Sequence, residues 1–206
     1  MDLVDRWVAL AGPQARRIGA DLDARYGEEH RRYHTREHLA AVLDLVDELA
    51  GHADDPDTVR LAAWFHDAVY DPERADNEER SARLAGRMLA DTDLSPDAVA
   101  EVVRLVELTA THAPAEGDRN GQVLCDADLA ILGAGPERYA AYAAAVREEY
   151  GFVPEGFFRA GRAEVLRSLL DLPVLFHTPE ARERFEVSAR RNIETELMLL
   201  SAGPSG

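Results

Sequence analysis

Two histidines and two aspartates carry the chemistry this sequence can do: His38, His66, Asp67 and Asp128. His66 and Asp67 stand inside Val59-Arg60-Leu61-Ala62-Ala63-Trp64-Phe65-His66-Asp67-Ala68-Val69-Tyr70, a run so apolar that it reads as a buried helix. An imidazole and a carboxylate in the middle of such a helix are costly unless something satisfies them, and a metal cation satisfies both. The dipeptide alone is weak: with 7 histidines and 19 aspartates, roughly 0.6 His-Asp pairs are expected by chance. Its surroundings must carry the case.

His38 aligns with Val42, Leu45 and Leu49 and faces apolar company near the start of its helix. A histidine packed at a helix end is the other reading of that position. Around Asp128, at about 100° per residue, Leu124, Ile131 and Leu132 fall within about 60°, whereas Asp126 falls about 160° away. Asp128 is therefore expected to face the apolar side and Asp126 water. A buried ion pair with an arginine, or a cap, is the alternative for Asp128. Two imidazoles and two carboxylates from three helices suit Mn²⁺, Fe²⁺, Co²⁺, Ni²⁺ or Zn²⁺ better than calcium, with Mg²⁺ also admissible. Four protein ligands leave an octahedral shell room for water, as a catalytic site requires.

The elements that must position these residues are helices throughout, since apolar residues recur at three- and four-residue steps and strand-type alternation is scarce. Helix is expected on both sides of Gly12-Pro13. Thr35 caps a helix through Leu39, Val42, Leu43, Val46 and Leu49 that Gly51 ends. Asp55-Pro56 opens the buried helix and Asp71-Pro72 closes it. Asp76 or Asn77, Ser95-Pro96, Gln122, Gly135-Pro136, Pro154 and Thr178-Pro179 open the rest. The helix from Ser95-Pro96 stops before Ala113-Pro114, and the one from Gln122 runs to Leu132. Residues 201–206 read as a frayed tail. The expectation is a single all-α domain over 1–206, a bundle of about eight or nine helices.

With 39 acidic and 23 basic residues the formal charge is −16. This argues against binding nucleic-acid polymers or anionic membranes, though not against a small anionic substrate. One cysteine, Cys125, excludes an intrachain disulfide and fits a reducing compartment. No secretory signal opens the sequence, and no apolar run approaches the ~18 residues that span a bilayer. The expectation is a cytoplasmic protein, with a homo-oligomer left open.

Beyond the four ligand candidates, Arg32-Tyr33-His34-Thr35-Arg36-Glu37-His38, Trp64 to Asp71, Asn77-Glu78-Glu79-Arg80-Ser81-Ala82, Asp126 to Gly133 and Arg147-Glu148-Glu149-Tyr150 form a set of motifs. Over roughly residues 30 to 200 this set resembles a group of bacterial predicted phosphohydrolases in the HD-domain superfamily. The resemblance implies an HD-type helical bundle and His38, His66, Asp67 and Asp128 as metal ligands. It implies a phosphoric ester hydrolase acting on a small phosphorylated molecule, with nucleotides in view, through a metal-bound water. Only His112 lies where the binuclear branch of the superfamily places its additional histidines, so a single metal is expected. The alternatives are a non-catalytic helical regulatory module that keeps its metal for structure, and di-iron oxygen chemistry.

Supporting roles follow with the same status. Asp67 is expected to orient water as well as bind metal. Asp71, one helical turn beyond it, is a candidate general acid or ligand orienter, against simple helix termination before Pro72. His34, left outside the helix that Thr35 caps, is placed to meet a substrate phosphate. Arg32 is a candidate phosphate contact. His112 and Glu78 are candidate substrate-side residues, against a helix-end histidine and first-turn dipole compensation.

Overall fold

The computed structural model describes residues 2–202. Helix starts follow the cap signals closely. Thr35 Oγ1 accepts the Glu37 N–H at 3.3 Å, Asp55 Oδ1 that of Thr58 at 3.1 Å, Ser95 Oγ that of Ala98 at 3.2 Å, and Thr178 Oγ1 that of Ala181 at 3.2 Å. Each cap satisfies a donor that the first helical turn leaves unpaired. Among the described residues there are ten α-helices, one more than the upper expectation, two 3₁₀ turns and no strand. No helix among them is long and apolar enough to cross a membrane.

The chain forms two compact units, Met1–Ala127 and Asp128–Gly206. The first holds α1 (Leu3–Ala11), α2 (Arg16–Tyr26), α3 (Arg36–Glu48), α4 (Pro56–Phe65), α5 (Asn77–Leu89), α6 (Pro96–Leu108) and most of α7 (Arg119–Leu129). α4 packs against α3, α5 and α6, which is why its residues read as apolar on nearly every face. Trp7, Trp64 and Phe65 form an edge-to-face cluster at its C-terminal end, with Trp7 5.4 Å from Trp64 and 5.9 Å from Phe65. Gly19 lets α2 close on α1, because a Cβ there would stand 2.4 Å from the Trp7 ring. The connector before α2 turns at Gly12, whose φ of 86° lies in the region that favours glycine.

The second unit holds α8 (Pro136–Glu149), α9 (Glu155–Leu170) and α10 (Pro179–Ser201), preceded by the 3₁₀ turn Ala130–Gly133. α10 packs on that turn and on α9, burying Leu132, Leu166, Phe176, Ala189 and Ile193. Asn192 Nδ2 fastens the turn by donating to the carbonyls of Leu132 and Ala134 at 2.8 and 2.9 Å.

Several expected boundaries move. α4 ends at Phe65, not near Asp71, so His66 is its C-cap and Asp67 lies in the turn that follows. The helix expected from Gln122 to Leu132 is α7, which begins at Arg119, followed by the 3₁₀ turn, whereas α6 stops before Ala113-Pro114 as expected. Asp126, expected to face water, is fully buried, while Asp128 is half-buried. Val123, Leu124, Cys125, Ala127 and Leu129 are buried with Asp126. A helical stretch buried continuously from Val123 through Ala127 has no wet face for periodicity to mark. Ser201, expected in a frayed tail, is the last residue of α10; residues 203–206 of that expectation lie outside the described residues.

Candidate metal centre

α3 and α4 pack together, so the first turn of α3 meets the last turn of α4. His38 is the third residue of α3 and His66 caps α4. Their Nε2 atoms stand 3.1 Å apart. Asp67 Oδ2 lies 3.0 Å from His66 Nε2 and 3.5 Å from His38 Nε2. Metal–ligand bonds of about 2.0–2.1 Å put neighbouring donors about 3.0 Å apart at right angles and about 3.4 Å apart at the tetrahedral angle. The three separations match the edges of a coordination shell around one such ion.

The donor chemistry agrees. His66 Nδ1 lies 2.8 Å from the Ala63 carbonyl. A carbonyl only accepts, so Nδ1 carries the proton and Nε2 presents its lone pair to the cluster, the orientation that metal-ligating histidines adopt. The C-terminal end of α4 adds partial negative charge where a cation would sit. Burial pushes the Asp67 carboxyl up. When the rings are protonated, the charges of His66 and His34 and the hydrogen bonds from His38 and His66 outweigh it and hold the carboxyl well below the usual carboxylate range; a bound cation would take the place of those protons. Two imidazoles and an ionised carboxylate turned toward one point fit a divalent transition metal.

The turn that presents Asp67 is fastened from three directions. The Tyr26 hydroxyl accepts the Asp67 N–H and donates to the Trp64 carbonyl, both at 3.3 Å. Arg31 donates to the carbonyls of Asp67 at 2.8 Å and Ala68 at 3.5 Å. Ser81 Oγ accepts from the Val69 N–H at 3.0 Å and donates to its carbonyl at 3.2 Å. The expected continuation of α4 gives way because side chains take the backbone groups that a helix would pair internally.

Residues 35–130 match the HD-domain family. This segment is an HD domain. No curated protein matches the chain, and no solved structure does. The HD domain contains His38, His66 and Asp67 and ends two residues past Asp128.

The other site candidates fall in several places. His34, half-buried, rests on Tyr70 with ring centroids 4.2 Å apart and stands 5.9 Å from the His38 ring, so it borders the cluster. Asp128 opens the second unit. Asp71 is not one helical turn beyond Asp67, because the helix has ended; its carboxylate accepts the Glu73 N–H at 3.0 Å and its backbone pairs with Asn77. Arg32 is exposed and donates to the carbonyls of Glu29 and Arg31 on its own loop. Glu78 is half-buried in the first turn of α5. His112, half-buried, lies four residues past α6 at a φ of 49°. Sequence reasoning passed over Arg31 and Tyr26. The spacing of Leu22 and Tyr26 along one face of α2 was the available signal for Tyr26.

Proposed function

We propose that the protein is a metal-dependent phosphohydrolase that acts on a small phosphorylated molecule, with nucleotides the first class to test. The observation that carries this reading is the convergence of His38 Nε2, His66 Nε2 and Asp67 Oδ2 at 3.0–3.5 Å inside an HD domain. When bound, a divalent ion lowers the pKa of a coordinated water and polarises a phosphoryl oxygen. His38, His66 and Asp67 would hold that ion, and the Ala63 carbonyl would keep the His66 ring turned toward it. His34, braced by Tyr70, offers a donor to a phosphoryl oxygen beside the cluster. Asp71 is the candidate proton donor, and Arg32, Glu78 and His112 are substrate-side candidates on sequence grounds. Asp128 enters as a fourth ligand by resemblance alone, and Asp128→Asn tests it through metal affinity.

The deciding experiment is a phosphatase and nucleotide panel on protein reloaded in turn with Mn²⁺, Co²⁺, Ni²⁺, Mg²⁺ and Zn²⁺. Turnover with one of these ions, lost in Asp67→Ala, is the expected result. Full turnover by metal-free Asp67→Ala would sink the proposal. Stoichiometric metal with no turnover points to a regulatory module, and two irons per chain to oxygen chemistry.

A further inference from the structure

The Arg31 side chain is 0% exposed, unusual for an arginine, yet it occupies a loop between α2 and α3. Its guanidinium spends its donors on a definite set of acceptors. Nη1 reaches the carbonyls of His34 at 3.0 Å and Asp67 at 2.8 Å. Nη2 reaches the Ala68 carbonyl at 3.5 Å, and Nε the Glu28 carboxylate at 3.1 Å. The guanidinium also lies over the Tyr26 and Tyr70 rings, 5.2 and 5.5 Å from their centroids. Tyr70 is the ring against which His34 rests.

We infer that Arg31 is a positioning residue that sets Asp67 and His34 against the metal cluster together. His38 and His66 are placed by α3 and α4, but Asp67 and His34 lie on irregular backbone that no helix fixes. One planar cation joins those two stretches, so an error in its placement moves both side chains at once. A lysine keeps the charge but presents neither the fork nor the flat face, so it cannot serve the same acceptors. This inference rests on the metal-dependent reading proposed above.

The test compares wild type with Arg31→Lys for Co²⁺ affinity by calorimetry and for the visible spectrum of the Co²⁺-loaded protein. Residues that orient metal ligands typically change affinity by about 10–100-fold. The expected result is a loss in that range with an altered spectrum, in a variant that still unfolds cooperatively. A role in folding alone would lower the melting temperature and leave both readouts of the folded protein unchanged, which would overturn the inference. If Arg31→Lys does not fold, Glu28→Gln replaces it, because Glu28 is partly exposed and touches Arg31 from outside the cluster. It is expected to weaken Co²⁺ binding severalfold with a shifted spectrum, and wild-type behaviour there overturns the inference equally. Wild-type protein that takes up no metal overturns the reading beneath it, a result distinct from a variant that binds as wild type does.

Discussion

In the second unit, the Glu196 carboxylate is met by Arg162, whose Nε and Nη2 lie 2.8 and 3.1 Å from its two oxygens. The Tyr139 hydroxyl donates to the same carboxylate at 2.5 Å, and Arg162 also reaches the Tyr142 hydroxyl at 3.1 Å. In the first unit, the Asp67 carboxylate is met by two imidazole nitrogens. Both clusters are sheltered from water and both contain a carboxylate. One carries its own permanent cation and is closed. The other is built of two imidazoles and a carboxylate, donors that could hold a metal ion. Burial pushes the Tyr139 phenol up, and Glu196 pushes it further. Burial opposes the Arg162 charge, but Tyr142 and Glu196 more than compensate and raise its pKa. The Arg162 cluster joins an arginine to its carboxylate, whereas the Asp67 cluster turns two imidazoles and a carboxylate, donors of the kind that ligate metals, toward one point.

The largest effect should come from the open cluster. On the proposed hydrolytic reading, loss of His66 or Asp67 would remove a metal contribution worth several kcal/mol to the transition state, so turnover should fall by at least about 10³-fold. The same substitution should abolish metal-dependent stabilisation. At a free concentration of 100 times Kd, an ion adds about 2.7 kcal/mol to the stability of the wild type. Thermal unfolding with and without metal checks this. A wild-type shift that survives in His66→Ala would mean that the ion sits elsewhere, and the contrast between the clusters would break.

The closed cluster should respond in stability alone. Arg162→Met leaves Glu196 buried without its cation and should cost about 3–5 kcal/mol. The pair Arg162→Met with Glu196→Leu should recover most of that, since a buried ion pair and an apolar pair of similar volume are often equivalent. Urea unfolding of the three proteins measures it, and metal affinity should be unchanged in both variants. A neutral Arg162→Met would show that Glu196 does not depend on this cation.

The helical class and most helix starts were legible in the sequence, because caps and three- and four-residue spacing are local signals. The His38, His66 and Asp67 cluster was legible through cost: polar residues in an apolar run demand a reason. What was not legible depends on neighbours distant in the chain. α4 stops at Phe65 because Tyr26, Arg31 and Ser81 take up the backbone that follows, and no local pattern announces that. Asp126 is buried because α7 is enclosed from Val123 through Ala127, so an angular argument built on one wet face failed there. The Arg162 network joins α8, α9 and α10, and its residues separately look like ordinary surface charges and rim tyrosines.

The smallest effect should come from a third arrangement, a carboxylate paired with arginine nearer the surface. Arg104, 44% exposed, donates to both oxygens of Asp118 at 2.8 and 2.9 Å. Burial raises the Asp118 carboxyl, but Arg104 and the Gly121 N–H hold it below its ordinary value. The folded protein therefore binds this proton less readily than the unfolded chain, whose aspartates titrate near about 3.9. The stabilisation is fully present above that pH and is lost as pH falls through the folded value. Asp118→Asn keeps an acceptor for the Gly121 N–H and removes the charge. With Arg104 so exposed, solvent screening limits the loss to about 0.5–1 kcal/mol at neutral pH. The difference between variant and wild type in urea unfolding should shrink toward zero as the pH drops below 4. A difference that stays constant across that range would assign the effect to packing or hydrogen bonding, leaving charge pairing consequential only where it is buried.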